Sequence, residues 1–184
     1  FNEIEPSAPD QPFSIRSGAG VIFGASGGVT EAALRRVAER SNTALTEIRY
    51  SGVRGLEGIK TFSAMIGEKE VHVAVVSGLA NAEALIKLIE SGEEHFDFVE
   101  VMACPTGCIG GAGQPYHHGN SKIIKKRFDA IYEEDRNKPI RKSHENPSII
   151  KLYQEFLGEP CGHKSHELLH THYFDKSDHV EIGE

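Results

Sequence analysis

The pattern of apolar and polar residues predicts strands and helices along most of the chain. Short apolar or alternating runs predict strands at residues 43–49, 61–66, 71–76 and 96–102. The turn composition between the second and third runs predicts that they form a hairpin. Apolar positions at helical spacing predict helices at residues 29–40, 82–91, 121–136 and 147–157. This order predicts an α/β fold, a lobe with a mostly parallel sheet flanked by helices.

Several residues predict where the later helices begin and end. Asn81 is predicted to cap the helix that follows it, and Gly92 is predicted to end that helix. Asn146 is predicted to cap the next-to-last helix, with Pro147 in its first turn and Gly158 as its terminator. The sequence therefore carries local signals for the start and the end of each of these two helices.

The chain divides into an extended initial segment and a lobe. Residues 1–20 contain three prolines among polar residues, which favours an extended conformation. Residues 21–184 are predicted to form the lobe, which ends in a histidine-rich helical tail at 163–172. The sequence begins at Phe1, without Met and without a basic-then-apolar leader. We therefore expect no signal peptide, and either a processed chain or a piece of a longer one.

Composition limits the classes of function. A length of 184 residues suits one domain, and no apolar run is long enough to cross a bilayer. The net charge of −7 argues against a nucleic-acid surface, because phosphate binding needs clustered Lys and Arg. The basic run at 122–127 alternates with apolar residues at helical spacing, which favours a solvated helix face. We expect no nucleic-acid partner and a cytoplasmic location, with the periplasm as the alternative.

Two cysteines follow the last predicted strand and are surrounded by glycines. Cys104 and Cys108 are separated by Pro-Thr-Gly, a spacing that lets both sulfurs reach one metal cluster. The bare backbone of the glycines lets N–H groups approach a large anionic cofactor, and these glycines are Gly107, Gly110, Gly111 and Gly113. Zinc would be satisfied by this pair and two histidines, and would need no glycine run. Three cysteines in all are too few for a secreted disulfide framework.

Two further motifs offer alternative chemistries. His166, Glu167 and His170 match the pattern of a zinc protease, although the glycine and third histidine of the extended pattern are missing. A structural helix with exposed or hydrogen-bonded histidines is the simpler interpretation. The segment around Ser26 matches the nucleophile elbow of a hydrolase, with Asp97 and His170 as partners. This hydrolase hypothesis leaves the two cysteines without a role, and a tight glycine turn explains the segment equally well.

Three segments together resemble the iron-only (FeFe) hydrogenases. Residues 100–115 (EVMACPTGCIGGAGQP) closely resemble the last cluster-binding motif of that family. Residues 17–35 (SGAGVIFGASGGVTEAALR) and 165–173 (SHELLHTHY) resemble two other family segments. The three lie in family order and span most of the chain. The resemblance implies an oxidoreductase that reversibly combines protons and electrons into hydrogen.

The resemblance also implies a cofactor and roles for individual residues. The family cofactor, the H-cluster, is a 4Fe-4S cubane joined through a cysteine sulfur to a two-iron unit carrying CO and CN ligands. By resemblance, Cys104 and Cys108 are cubane ligands, and Cys108 is the bridging thiolate. Phe23, Val29 and Met102 are implied to form the apolar wall around the two-iron unit.

Two departures from the family pattern matter. The earlier motifs that would supply the other two cubane ligands do not occur in this sequence, so residues 21–184 resemble the C-terminal lobe of an H-cluster domain. We therefore expect as partners the N-terminal part or a separate subunit of the same hydrogenase, and a ferredoxin-type electron carrier or electron-transfer subunit. Thr106 and Ala112 stand where glycine is expected, and Cys161 is expected to be a bystander. The alternatives are an iron-sulfur assembly protein without catalytic activity and a sensory hydrogenase-like protein.

Overall fold

A computed structural model describes residues 4–10, 13–40, 54–111 and 113–173. The chain divides into two compact units, Phe1–Asn146 and Pro147–Glu184. The predicted strand at 43–49 lies outside the described residues. In the described part of the chain, no helix combines the length and hydrophobicity that crossing a bilayer requires.

The described part of the first unit contains four helices and three strands. In chain order these are α1 (Gly18–Ile22), α2 (Gly28–Arg40), β1 (Ile59–Ile66), β2 (Lys69–Ser77), α3 (Leu79–Glu90), β3 (Phe98–Met102) and α4 (Ser121–Asn137). Short 3-10 turns occur at Cys108–Gly110 and Ser143–Glu145. The α/β class is confirmed, and the predicted helices at 29–40 and 121–136 agree closely with α2 and α4.

The described strands form one mixed sheet in the order β1-β2-β3. β1 and β2 pair antiparallel across a tight turn, with Ile66 opposite Lys69, so the predicted hairpin is confirmed. β2 and β3 pair parallel, with Ser77 opposite Met102, and α3 makes the crossover between them. The expectation of a mostly parallel sheet is wrong for the described strands, because a hairpin necessarily adds an antiparallel pairing.

The core of the first unit lies on both faces of β2. Successive side chains of a strand point to opposite faces, so Val75 packs against Leu34 and Ala38 of α2. On the other face, Ala74 and Val76 pack with Ala82 and Leu85 of α3. All four residues from Val73 to Val76 are buried, as expected of a strand covered by helices on both sides.

Two helix starts differ from the prediction. α1 includes Gly18, Ala19 and Gly20, which the sequence assigned to the extended initial segment, and the Ser17 hydroxyl accepts a hydrogen bond from Gly20 N. α3 begins at Leu79, before the predicted start. Asn81 is therefore not its cap, because its side-chain amide lies within the first turn and donates to Ser77 O at 2.7 Å.

Over residues 147–173, the second unit contains two short helical stretches. α5 (Pro147–Leu152) continues into a wider π-helical turn at Tyr153–Leu157, in which Gly158 N donates to Tyr153 O at 2.7 Å. Gly158 ends the stretch with a φ of +78°, which confirms it as the terminator. α6 (His163–Leu169) contains part of the histidine-rich tail.

Gly28 is predicted to be irreplaceable for steric reasons. A Cβ there would lie 1.7 Å from Ile22 O, on the backbone of α1. Helix propensity alone would make Gly28→Ala slightly stabilising. We expect the clash to dominate and to lower the free energy of unfolding by about 3 kcal/mol. Urea unfolding measures this, with Gly113→Ala as the control, since a Cβ on Gly113 would meet no heavy atom within 4 Å. Wild-type stability of Gly28→Ala would contradict this packing.

Candidate functional site

The candidate site lies at the carboxyl ends of the parallel strands β2 and β3. The segment after β3, residues 104–111, is called the cysteine loop here. It is attached to the sheet by a hydrogen bond from Thr106 N to Ser77 Oγ at 3.1 Å. The two thiols of the loop are free, with Cys104 half-buried and Cys108 exposed. Functional loops of α/β folds commonly occupy this end of the strands.

A second loop, residues 24–27 between α1 and α2, lies against the cysteine loop and is called the serine loop. Ser26 N donates to Thr106 O at 3.1 Å, and Ile109 N donates to Gly24 O at 3.1 Å. These two backbone hydrogen bonds join segments that are far apart in the sequence. They bring two of the three family-like segments into direct contact.

Glycine is required where the two loops approach each other. Gly107 has a φ of +86°, and a Cβ on it would lie 2.7 Å from Ser26 N and 2.9 Å from Met102 Sδ. A Cβ on Gly111 would lie 3.2 Å from Cys104 Sγ. The cysteine loop therefore presents bare backbone beside its thiols.

Thr106 adopts a conformation that glycine usually provides. Its φ is +64°, in the left-handed region that β-branched residues strongly disfavour. Its hydroxyl donates to Pro105 O at 2.6 Å. The threonine noted as a departure from the family pattern thus keeps the backbone turn at a cost of about 1–2 kcal/mol. The other departure, Ala112, lies outside the described residues.

The structure distributes the predicted apolar wall over the two adjoining segments. Phe23 follows α1 and is 44% exposed, while Val29 lies in the first turn of α2 and is half-buried. Both flank the serine loop. Met102 is half-buried at the end of β3, next to the cysteine loop. With Cys104 and Cys108, all five predicted site residues therefore belong to two segments joined by hydrogen bonds.

Sequence reasoning missed two buried charged residues beside the site. Glu100, only 6% exposed, accepts hydrogen bonds from Gly27 N at 2.7 Å, Thr30 N at 2.8 Å and Thr30 Oγ1 at 2.7 Å. Lys60, 7% exposed, donates to Ser26 O at 3.0 Å. Burial lowers the pKa of Lys60, against the opposing attraction of nearby carboxylates. A charged residue within the apolar run at 96–102 was the available signal for Glu100.

A buried ion network fixes α2 against α4. Arg35 donates to both carboxylate oxygens of Asp135, at 2.8 and 2.7 Å, and to Glu31 at 2.7 Å. Arg54 also binds Glu31, and Arg141 also binds Asp135, each at 2.7 Å. Burial by itself would raise the pKa of Asp135, but the hydrogen bonds from both arginines outweigh it, so the pKa lies below its usual value.

We expect Arg35→Met to destabilise the first unit by about 3–5 kcal/mol, because it removes one partner of buried ion pairs. Because the pKa of Asp135 is lower in the folded state, its contribution is complete above the unfolded value of about 4. That contribution is lost as pH falls through the lower, folded pKa. Unfolding measured at several pH values tests both points. Lys87→Met, in an exposed pair with Glu83, is the control and should change stability by less than about 1 kcal/mol.

The structure does not support the hydrolase hypothesis. Ser26 is 1% exposed, and its hydroxyl has no hydrogen-bond partner among the described residues. The apolar run before it belongs to α1, whereas a nucleophile elbow requires a strand. Asp97 binds Lys69 and the backbone of His72, and these hydrogen bonds lower its pKa to about 2.

The histidine tail also lacks the geometry of a zinc protease. The rings of His166 and His170 lie 4.2 Å apart between centroids, and both side chains are exposed. One described group of potential ligands has its donor atoms within 4.8 Å of one another: Glu39, His144 and Glu145, outside the tail. Lys142 forms ion pairs with both glutamates of that group. Cys161 and three tail histidines border an open pocket of the second unit, but do not form such a group.

Comparison with known families shows which family the chain belongs to. A family described as "Iron only hydrogenase large subunit, C-terminal domain" matches residues 1–112. A second, described as "Iron hydrogenase small subunit", matches residues 121–176. The chain belongs to the iron-only hydrogenase family. The small-subunit match shows that this one chain carries sequence related to both subunits.

Individual members of the iron-only hydrogenase family agree with this assignment. "NADP-reducing hydrogenase subunit HndD" of Solidesulfovibrio fructosivorans is 50% identical over 91% of this chain and 28% of its own length. A structure of [FeFe]-hydrogenase HydA1 from Chlamydomonas reinhardtii is 42% identical and superposes with a TM-score of 0.67 over 93% of this chain and 50% of HydA1. The chain thus spans between 28% and 50% of the length of these two relatives.

More distant relatives have a different description. "Cytosolic Fe-S cluster assembly factor narfl" of Xenopus tropicalis is 27% identical over 94% of this chain and 37% of its own length. The similarity to HndD is much higher over a comparable share of the chain. The sequence is therefore more similar to HndD than to this assembly factor.

Proposed function

We propose that this chain is the C-terminal portion of an FeFe hydrogenase that reversibly reduces protons to hydrogen. In this proposal Cys104 and Cys108 bind the cubane of an H-cluster, and Cys108 bridges it to the two-iron unit. Phe23, Val29 and Met102 form the apolar wall around that unit. The observation that carries the proposal is the pair of free thiols in a glycine-rich loop, in a chain 50% identical to HndD.

The residues present fit a bulky, sulfur-bound cofactor. Thiolates are the preferred ligands of iron-sulfur clusters, and the cysteine loop provides two that form no disulfide. Side chains at Gly107 or Gly111 would crowd Met102 Sδ or Cys104 Sγ, so glycine keeps the space beside the sulfurs open. Exposure of Cys108 and Phe23 is consistent with a surface that a cofactor and another polypeptide cover.

When bound, the H-cluster supplies an iron centre at which protons and electrons combine into hydrogen. The chain's own residues hold it and exclude water. Cys104 and Cys108 provide negative sulfur ligands, while apolar side chains such as Phe23 and Met102 lower the local polarity and strengthen electrostatic interactions. The N–H groups of Gly107, Gly110 and Gly111 donate to carbonyls within the cysteine loop, so these glycines would give the cofactor room beside the sulfurs and not hydrogen bonds.

The site needs a second polypeptide segment. A 4Fe-4S cubane takes four cysteine ligands, and the cysteine loop provides two. We propose that the other two come from an N-terminal part or a separate subunit, consistent with the coverage of only 28% of HndD. We also propose a ferredoxin-type carrier or an electron-transfer subunit as the electron partner. We propose a cytoplasmic location, with the periplasm as the alternative.

The similarity to the narfl assembly factor supports a second candidate function. In that case the cysteine loop would bind a cubane without a two-iron unit, and no hydrogen would form. The sensory alternative would keep the two-iron unit with low turnover. The identity of 50% to HndD, against 27% to narfl, favours the hydrogenase.

Hydrogen formation tests the proposed function. The assembled protein, consisting of this chain with the polypeptide that completes the cubane, is supplied with a reduced viologen dye, and hydrogen is measured by gas chromatography. We expect sustained hydrogen formation, together with iron and acid-labile sulfide but no zinc. Stoichiometric cubane iron without hydrogen would favour the assembly factor. Zinc that is lost on His166→Ala would favour the protease.

A further inference from the structure

Two buried charged side chains hold opposite sides of a single peptide group. The carbonyl of Ser26 accepts a hydrogen bond from Lys60 Nζ at 3.0 Å. The N–H of Gly27, on the other side of the same peptide bond, donates to Glu100 Oε1 at 2.7 Å. Because the peptide group is planar, fixing both of its polar atoms fixes its orientation. Lys60 and Glu100 are called the charged clamp below.

Each member of the charged clamp is itself held in place. The second carboxylate oxygen of Glu100 accepts from Thr30 N at 2.8 Å and from Thr30 Oγ1 at 2.7 Å. Lys60 Nζ also donates to Gly55 O at 3.2 Å. Buried charges are costly unless hydrogen-bonded, and charge-assisted hydrogen bonds are the stronger kind. The negative carboxylate also lies at the N-terminus of α2, where the helix dipole favours it.

The peptide held by the charged clamp adjoins the contact between the serine and cysteine loops. Ser26 N donates to Thr106 O at 3.1 Å, on the far side of the Ser26 residue from the clamp. The approach is tight, since a Cβ on Gly107 would lie 2.7 Å from Ser26 N. Movement of Ser26, which the charged clamp restrains through its carbonyl, would therefore displace the backbone between Cys104 and Cys108. Glu100 lies on β3 two residues before Met102, and its hydrogen bonds with Thr30 link that strand to α2 directly.

We propose that Lys60 and Glu100 are positioning residues that set the separation of the serine and cysteine loops, and thereby the orientation of the two cysteine sulfurs toward their cofactor. The identity of the cofactor rests on the proposed function. The restraint on the peptide group does not, because it follows from hydrogen bonds within this chain.

Glu100→Gln and Lys60→Met, made in the assembled protein, test the proposal. Each keeps the approximate side-chain shape and removes the charge. We expect amide hydrogen exchange at Ser26 and Gly27 to accelerate by about tenfold or more, because Gln offers one neutral acceptor oxygen in place of two charged ones and Met cannot donate to Ser26 O. We also expect the CO and CN infrared bands to shift or split. A small displacement of the ligands should lower kcat on the order of tenfold to a hundredfold, with KM for the electron donor unchanged.

Matched controls separate positioning from general stability. Glu83→Gln and Lys87→Met remove charges from an exposed ion pair on α3 and should change neither exchange nor the infrared bands. If Glu100→Gln fails to fold, Thr30→Val removes only one hydrogen bond to the carboxylate, and Thr30→Ser retains it. We expect the exchange and infrared changes with valine and wild-type behaviour with serine.

The outcomes distinguish this proposal from the proposed function. Wild-type exchange rates at Ser26 and Gly27 in both clamp variants would overturn the clamp. Unchanged infrared bands and kcat in variants whose exchange is accelerated would also overturn the proposal, because the position of the cysteine loop would then not depend on the peptide. Absence of the bands from the wild-type protein would count against the proposed function. Even without the bands, accelerated exchange in the clamp variants would establish the restraint on the peptide, and unaltered exchange in them would overturn the charged clamp.

Discussion

The Cys108→Ala variant of the assembled protein is expected to lose the CO and CN infrared bands and to form no hydrogen above background. In the proposed site Cys108 is the single sulfur shared by the cubane and the two-iron unit, so its loss disconnects them. Cys104, the other thiol of the cysteine loop, is half-buried against Gly111 and is committed to the cubane in the same proposal. Infrared spectroscopy and hydrogen measurement on the same sample give both results.

Cys161→Ala is the matched control for this prediction. Cys161 is likewise an exposed free thiol, but it lies in the second unit and outside the cysteine loop. Its removal should leave the infrared bands and hydrogen formation unchanged, in keeping with its expected role as a bystander. Bands retained in Cys108→Ala, or lost in Cys161→Ala, would contradict the proposed ligand assignment.

The isolated chain is expected to hold no stable cubane. Only Cys104 and Cys108 are available in the cysteine loop, whereas a 4Fe-4S cluster takes four cysteine ligands. Reconstitution with iron and sulfide should therefore give substoichiometric iron that is lost on gel filtration. Addition of the polypeptide that carries the missing ligands during reconstitution should raise the iron to about four atoms per chain for the cubane.

Two control measurements test whether the isolated chain is folded and whether the partner polypeptide holds the cubane by itself. A circular dichroism spectrum establishes that the isolated chain is folded before reconstitution. Reconstitution of the Cys104→Ala chain with the same partner should give a defective cluster, which shows that the partner does not hold the cubane by itself. A stable four-iron cluster in the isolated wild-type chain would contradict the idea of a site shared between polypeptides.

Local sequence signals were sufficient to predict much of the fold. The periodicity of α2 and α4 and the turn between β1 and β2 act over a few residues, so they could be interpreted without tertiary information. The cysteine loop was also recognisable, because its thiols and glycines are adjacent in the chain. α1 was missed, since its sequence, GAGVI, contains two glycines and spans little more than one turn.

The charged clamp could not be predicted because its hydrogen bonds join distant residues. Glu100 and Gly27 are 73 residues apart, and Lys60 and Ser26 are 34 residues apart. A single Lys or Glu in a strand is usually a solvated residue, and only the folded structure shows that both are buried. The ion network around Arg35 could not be predicted for the same reason, since Asp135 is 100 residues away.

The infrared spectrum of the wild-type assembled protein tests the central claim most directly. CO and CN bound to iron give bands that neither a cubane alone nor zinc produces. The proposed function predicts these bands, together with iron and sulfide in stoichiometric amounts. A spectrum without them, from a protein that contains a complete cubane, would contradict an H-cluster at Cys104 and Cys108.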